Sequence, residues 1–203
     1  QIWLNLPARS KFAEPYFTMF WHETIPVHHL KDPQGNAVTV TTIAGALDGV
    51  VPPSPPPSSW ASNQRSEIAV WTIDLAPGAT WTLPAASKGL TRSLYLYRGD
   101  HLDIAGTSVT PGHRASVDSH VPVPLTAGAE PCQLLLLQGR PIGEPVVQHG
   151  PFVMNSAEEV RQAYRDYQTS GFGGWPWTRD DPVHDRTQGR FALHVDGRRD
   201  EPA

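Results

Sequence analysis

The chain has 203 residues, a formal net charge of −4 at pH 7 and a single cysteine. This length accommodates one large domain, or one domain with extensions, and is sufficient to bury a sizeable core. The mild negative charge and the lack of a basic cluster give no basis for binding to nucleic acid or to an anionic membrane, and no apolar run is long enough to cross a bilayer.

Alternating apolar residues predict short strands along most of the chain. Residues 2–6 alternate as a half-buried strand would, residues 8–21 lack a clear period and suit a linker, and the run AVTVTTI at 37–43 has the β-branched content of a strand. A shorter strand is predicted at 26–30. Six further runs, bounded by Gly and Pro breaks typical of an all-β sandwich or barrel, are predicted strands at 67–75, 79–83, 90–97, 101–104, 121–125 and 132–138.

A proline-rich segment interrupts the strands at residues 47–66, where the sequence includes VVPPSPPPSSW. It cannot fold as a helix or a sheet on its own. A proline-rich recognition motif is one interpretation, and a stiff surface loop is the commoner one.

Cys132 opens the apolar run CQLLLL, in which residues 134–137 are predicted to be buried on both faces of a strand. A thiol in this setting is expected to be buried and inert rather than nucleophilic. A single cysteine cannot form an internal disulfide, so we expect a reducing, cytoplasmic location.

One amphipathic helix is predicted after residue 155. Ser156 and Glu159 have the spacing of a capping box, in which the hydroxyl accepts a first-turn N–H and the carboxylate reaches back to the N–H of the cap. Gly171 is expected to end the helix. Before it, Val146 and Val147 predict an extended run or edge strand that turns at Gly150 and Pro151. The apolar stripe of the helix comprises Val160, Ala163, Tyr164 and Tyr167.

The stretch EPVVQHGPFVMN at 144–155, followed by RDYQ at 165–168, resembles the C-terminal signature of the pirin family of bicupin proteins. The opening QIWLNLP looks like the passage out of the first cupin domain of the same family. The resemblance implies an all-β cupin, a jelly-roll β-barrel, with one C-terminal amphipathic helix packed against it. It implies the last strand of a truncated N-terminal cupin plus linker at 1–20, a metal-free C-terminal cupin at 21–150, a docked helix at 151–172 and a charged tail at 173–203.

The metal ligands of cupins come from two motifs, G-x5-H-x-H-x3/4-E-x6-G and P-x-G-x2-H-x3-N. The first maps onto residues 78–99, where PAASK at 84–88 replaces the histidines and Arg92 stands at the carboxylate position. Arginine offers donors only and cannot ligate a cation. In the second motif Ala115 replaces the histidine. We therefore expect no metal or other cofactor in this chain, and the resemblance implies iron in the N-terminal cupin, upstream of Gln1.

Other histidines form only partial sites. His28 and His29 are adjacent, so on a strand they would point to opposite faces. His101 with Asp103, and His194 with Asp196, would share a face and could each supply half a site. Isolated polar pairs near turns are usually just solvated.

An emptied barrel could hold a small apolar ligand. The candidate cavity residues are Trp81, Tyr95, Tyr97 and His113. The alternative is a core packed with large side chains, which is the commoner arrangement because aromatic residues dominate β cores.

The resemblance implies that the intact protein binds iron and acts either as a quercetin 2,3-dioxygenase-type oxygenase or as a regulator of transcription or of a metabolic enzyme through protein contacts. This chain alone is expected to be non-catalytic, with a structural or binding role, and it lacks G-x-S-x-G, H-E-x-x-H, P-loop and Rossmann motifs. The expected partner is the N-terminal cupin lobe, and a further protein partner or a small apolar ligand are left open. The excess of arginine over lysine indicates a GC-rich bacterial source.

Overall fold

The structure, a computed structural model, describes residues 1–175, 177–180, 184–194 and 196–202. The chain divides into two compact units, named here the barrel unit, Phe20–Pro141, and the terminal unit, Gln1–Met19 with Ile142–Ala203. Residues 142–150, which the sequence placed with the cupin, lie in the terminal unit.

The barrel unit consists of two antiparallel sheets. The larger has the strand order β1-β2-β3-β10-β5-β8 and the smaller has the order β4-β9-β6-β7. Buried side chains from both sheets form one hydrophobic core. The strands are β1 Val27–Lys31, β2 Ala37–Ala44, β3 Ala69–Leu75, β4 Thr80–Leu83, β5 Thr91–Arg98, β6 Leu102–Ile104, β7 Thr107–Val109, β8 His113–Ser116, β9 Val123–Ala127 and β10 Cys132–Gly139.

On the inner face of the larger sheet, the side chains that lie opposite each other on neighbouring strands form layers. Leu136 of β10 lies opposite Trp71 of β3 and Leu94 of β5. The next residue on the inner face of β10 is Gln138, which lies opposite Ala69 and Arg92. Because side chains alternate along a strand, the apolar layers form the core and the layer with Arg92 and Gln138 forms its polar end.

The predicted strands of the barrel unit are confirmed, with small changes at their ends. The strands β7 and β8 were missed, because the sequences TSV and HRAS are short and lack an apolar alternation. The prediction that residues 134–137 are buried on both faces was wrong. Leu134 and Leu136 are fully buried, whereas Leu135 and Leu137 are only half-buried.

The terminal unit contains a hairpin, a helix and a second short strand pair. The predicted strand at residues 2–6 does not form, since none of the described residues pairs with this segment and a strand requires a partner for its backbone hydrogen bonds. The elements are β11 Val147–His149, β12 Phe152–Met154, α1 Ala157–Ser170, β13 Ala192–Leu193 and β14 Arg199–Asp200.

The start and end of α1 follow the prediction, with one difference in the cap. The Ser156 hydroxyl accepts the N–H of Glu159 at 3.2 Å, and Gly171 ends the helix with φ of 57°. The Glu159 carboxylate instead accepts the N–H of Asn155 at 3.0 Å and the Ser156 hydroxyl at 3.1 Å, so it caps one residue earlier than expected. In the described part of the chain, no helix combines the length and apolar character needed to span a bilayer.

Candidate functional site

The barrel unit has a cavity of about 390 Å³ at the polar end of its core. We call it the Arg92 cavity. Its walls come from the loop after β2, the start of β3, the segment after β4, and the ends of β5 and β10. The lining residues are Gly45, Ala46, Leu47, Asp48, Glu67, Ile68, Ala69, Trp71, Pro84, Ala85, Ala86, Arg92 and Gln138.

Arg92 is only 3% exposed, although it carries a charge. Its Nε donates to Gln138 Oε1 at 2.7 Å, and its Nη1 donates to the carbonyl of Pro84 at 2.9 Å. Burial lowers the pKa of Arg92, and the negative charge of Asp118 acts in the opposite direction. The guanidinium is therefore held by two neutral acceptors in a fixed orientation.

Gln138 connects Arg92 to the rim of the cavity, because its Nε2 donates to the carbonyl of Glu67 at 3.0 Å. The Glu67 carboxylate forms an ion pair with Arg140 at 2.8 Å and accepts the N–H of Ser87 at 3.3 Å. Partial burial acts to raise the pKa of Glu67, but the bonds from Ser87 and Arg140 outweigh it and the net pKa lies below the usual value. The Glu67 charge is thus already neutralised by Arg140.

This donor set does not fit a metal ion. The residues that line the cavity where cupin ligands would stand are Pro84, Ala85, Ala86 and Arg92. Three of them lack a side chain that can coordinate, and the fourth is a buried cation that would repel a metal. Ala115 faces inward opposite Leu94 and packs against the core.

The structure does not bring the four predicted cavity residues together. Tyr95 and Tyr97 lie on the outer face of β5, because Leu94 and Leu96 occupy the inner face, and Tyr97 is exposed. Trp81 packs against the core from the smaller sheet. His113 is exposed and contacts Thr110 at 3.1 Å. The tyrosines share a face, as expected, but that face points away from the barrel interior.

The paired histidines have other neighbours than those predicted. His101 Nδ1 lies 3.1 Å from Asp100 rather than beside Asp103, and His194 Nε2 lies 2.7 Å from Asp200 rather than beside Asp196. Among the described residues, no group of three or more His, Cys, Asp or Glu side chains is arranged to hold a metal ion.

Sequence reasoning identified Arg92 as a replaced ligand but missed Gln138 and Glu67. Gln138 ends a leucine run far along the chain, and only the β5–β10 register places it opposite Arg92. Gln138 follows Leu134 and Leu136 at every second position of β10, and this alternation is the sequence signal that could have placed its side chain on the inner face.

The terminal unit has its own apolar groove of about 800 Å³, which we call the terminal groove. It is lined by Trp3, Phe12, Phe152, Met154 and Phe172, together with smaller apolar and polar residues. Trp3 is 62% exposed and Phe12 is 73% exposed. Phe152 packs edge-on against Phe172, with ring centroids 6.0 Å apart.

The two chain segments of the terminal unit are joined by polar contacts around Glu144. Its Oε2 accepts the N–H of Ala8 at 2.6 Å and the Asn155 amide at 3.1 Å. Lys11 donates to the carbonyl of Val153 at 3.0 Å. The contacts of Glu144 and Val153 therefore hold residues 8–11 beside the hairpin, and Asn155 orients the Glu144 carboxylate.

A family model for the pirin C-terminal cupin domain matches residues 70–173. A Vibrio cholerae protein named "Putative quercetin 2,3-dioxygenase" is 35% identical over 172 residues, which are 85% of this chain and 57% of that protein. Human pirin is 31% identical over 177 residues, covering 85% of this chain and 56% of pirin. The chain thus spans less than two thirds of the length of these curated relatives.

The crystal structure of a quercetin 2,3-dioxygenase from Acinetobacter baumannii superposes with a TM-score of 0.70 at 26% identity, covering 84% of this chain and 55% of that protein. The two antiparallel sheets and the helix α1 agree with this likeness. The fold is a mainly β cupin, and the chain belongs to the pirin family and contains its C-terminal cupin domain.

Proposed function

We propose that this chain is the C-terminal part of a pirin-type bicupin, in which it supports an N-terminal cupin lobe that carries the chemistry. The intact protein binds iron in that first lobe and acts as a quercetin 2,3-dioxygenase-type oxygenase. The barrel unit described here is non-catalytic. The proposal includes a cytoplasmic location, supported by the buried free thiol of Cys132, and a bacterial source, supported by the excess of arginine over lysine.

The observation that carries the proposal is the terminal groove. Large aromatic side chains such as Trp3 and Phe12 are more than half exposed in this chain. Exposed apolar patches of this kind mark surfaces that bind another protein, a membrane or a ligand. Because the relatives have more residues than this chain spans, the N-terminal lobe is the occupant that we propose.

The buried guanidinium of Arg92 supports a non-catalytic role for the barrel unit. It lies at the position where cupins that bind a metal place a carboxylate, and it is held by Gln138 and Pro84. A cation in this position opposes metal binding, so the oxygen chemistry is assigned to the other lobe.

The first experiment compares the intact protein, including its upstream residues, with the present chain. Both are incubated with iron and supplied with quercetin in an oxygen electrode. We expect oxygen uptake only with the intact protein. If the intact, iron-loaded protein consumes no oxygen, the dioxygenase assignment is wrong.

A second experiment tests the terminal groove as the surface for the first lobe. The N-terminal lobe, expressed separately, is titrated by calorimetry into this chain and into a Trp3→Ser, Phe12→Ser double variant. We expect the double variant to bind the N-terminal lobe at least about tenfold more weakly than the original chain, because burial of one aromatic side chain is worth ~2 kcal/mol. Tyr16→Ser is the matched control, since Tyr16 is 63% exposed but does not line the groove. Equal losses in both variants would contradict the assignment of this surface.

Regulation through protein contacts is the second candidate function. Val51 in the proline-rich segment is 74% exposed, and Val50 beside it is 46% exposed. Proline-rich segments with exposed apolar residues are recognised by aromatic grooves in other proteins. If this function applies, a Val50→Ser, Val51→Ser variant of the intact protein loses a defined partner and keeps its oxygen uptake. Retention of every partner by that variant would remove the support for this candidate.

A further inference from the structure

The Arg92 cavity contains a buried cation that forms no ion pair with any described carboxylate. In the described ranges of the chain, no carboxylate forms an ion pair with the guanidinium, and Nη2 donates to no acceptor. Asp118 acts on Arg92 only through its field, and its carboxylate is hydrogen-bonded to His120. A buried charge is costly unless it is paired, so a bound anion that paired with the guanidinium would stabilise this arrangement.

We propose that the Arg92 cavity binds a small organic monocarboxylate, whose carboxylate pairs with the free edge of the Arg92 guanidinium. The replacement of a ligand carboxylate by arginine thus converts a cation position into an anion site. This inference concerns the barrel unit alone and does not depend on the activity proposed for the intact protein.

The chemistry of the cavity selects a carboxylate. Nε and Nη1 donate to Gln138 and Pro84, which fixes the guanidinium and leaves the two N–H groups of Nη2 and one of Nη1 to bind a ligand. Planar guanidinium groups recognise carboxylates through paired, charge-assisted hydrogen bonds. Preorganisation of this kind lowers the cost of binding.

The walls of the cavity limit the ligand to one negative charge and a small apolar body. Trp71, Ala69 and Pro84 provide apolar surface, and the volume of about 390 Å³ suits a small organic molecule. The exposed Asp48 also lines the cavity, and Arg140 is already engaged by Glu67, so a second negative charge on the ligand would meet the Asp48 carboxylate and find no free cation at the rim. These features favour a monocarboxylate over phosphate or a dicarboxylate.

The test uses calorimetric titration of the chain with benzoate, and with benzyl alcohol as an uncharged ligand of similar shape. We expect saturable binding of benzoate and affinity for benzyl alcohol weaker by about tenfold to hundredfold, the range typical of hydrogen bonds to a charged group. Succinate should bind more weakly than benzoate. If the original chain shows no saturable binding of benzoate, or binds benzyl alcohol as tightly as benzoate, the proposal is overturned before any variant is made.

Two variants locate the site. Arg92→Met is expected to lower benzoate affinity by at least about tenfold, whereas Arg98→Met, which removes the charge of an exposed arginine on the same strand, should leave it unchanged. Circular dichroism checks that both variants fold. If Arg92→Met does not fold, the chemical shift of the Trp71 indole N–H is followed during benzoate titration of the original chain. A shift supports the cavity, and its absence, or equal effects of the two variants, refutes it.

Discussion

Arg92 and Gln138 lie directly opposite each other on β5 and β10, and Arg92 Nε donates to Gln138 Oε1 at 2.7 Å. The amide of Gln138 then donates to the carbonyl of Glu67, so this glutamine is the structural link between the buried cation and the rim of the cavity. The pair forms the polar layer that ends the apolar core of the barrel unit.

Substitution of Gln138 tests the value of this link. In Gln138→Leu the Nε of a buried cation and the carbonyl of Glu67 both lose their partners, so we expect a loss of about 1–3 kcal/mol in the free energy of unfolding, measured with urea. Gln133→Leu is the matched control on the same strand, because its partner Asp74 is only half-buried, whereas Arg92 is buried, and water can replace the contact between Gln133 and Asp74. Equal costs at both positions would contradict the role given to Gln138.

Gly45 provides a second prediction at the wall of the same cavity. It has φ of 81°, and an added Cβ would lie 2.6 Å from the carbonyl oxygen of Ile68. Its own carbonyl accepts the indole N–H of Trp71 at 3.1 Å, so displacement of this loop would also disturb the cavity. Gly45→Ala should therefore unfold at clearly lower urea concentration than the original chain.

Gly49→Ala separates the backbone cost of a left-handed residue from the cost of the steric contact made by an added Cβ. Gly49 has φ of 79°, but a Cβ added there would have no atom within 4 Å, so the substitution carries only the left-handed backbone cost of about 1–2 kcal/mol. Gly45→Ala should cost about 1–3 kcal/mol more than this, the range typical of overpacking. Similar midpoints for the two variants would show that the contact with Ile68 is unimportant.

Local patterns predicted much of the fold. Ser156 marked the start of α1 because a hydroxyl cap is a short-range feature, and the position of Gly171 followed from the left-handed conformation that ends a helix. Most strands of the barrel unit were predicted because β-branched and apolar runs, bounded by Gly and Pro, are also local. The family resemblance supplied the cupin architecture.

The candidate site was harder to predict because it depends on which strand face points inward. Both faces of β5 carry large apolar side chains, Leu94 and Leu96 on one and Tyr95 and Tyr97 on the other. The alternation of side chains alone cannot show which of these two faces points into the barrel, and the tyrosines were assigned to the wrong side of the sheet. Gln138 was missed for a related reason, since its pairing with Arg92 is set by long-range register.

Asp100 gives a prediction about pH. The N–H of His101, together with those of Ala129 and Glu130, lowers the pKa of this carboxyl from 3.8 to about 2. Because the folded pKa lies below the unfolded one, the stabilisation is fully present above about 3.8 and is lost as the pH falls toward about 2. Between these pH values the urea midpoint of the original chain should fall more steeply than that of Asp100→Asn.

Two measurements check this expectation. Carbon NMR titration of the Asp100 carboxyl should give a pKa near 2, as its contacts require. Asp103→Asn is the control for the removal of one carboxylate from the same region. Its urea midpoint should fall with pH as steeply as that of the original chain. Parallel pH profiles for the original chain and Asp100→Asn would contradict the prediction.

The cap of α1 gives the last prediction. Ser156→Ala leaves the first-turn N–H of Glu159 without its acceptor and removes the hydroxyl that donates to the Glu159 carboxylate, so the helix should lose about 1 kcal/mol of stability. Thr169→Ala removes an exposed hydroxyl that bonds the carbonyl of Arg165, and such surface changes usually stay within about 0.5 kcal/mol. Hydrogen exchange of the α1 amides should therefore accelerate about fivefold in Ser156→Ala and little in Thr169→Ala. Since Asn155 also donates its N–H to the Glu159 carboxylate, acceleration confined to the last turn would argue against this cap.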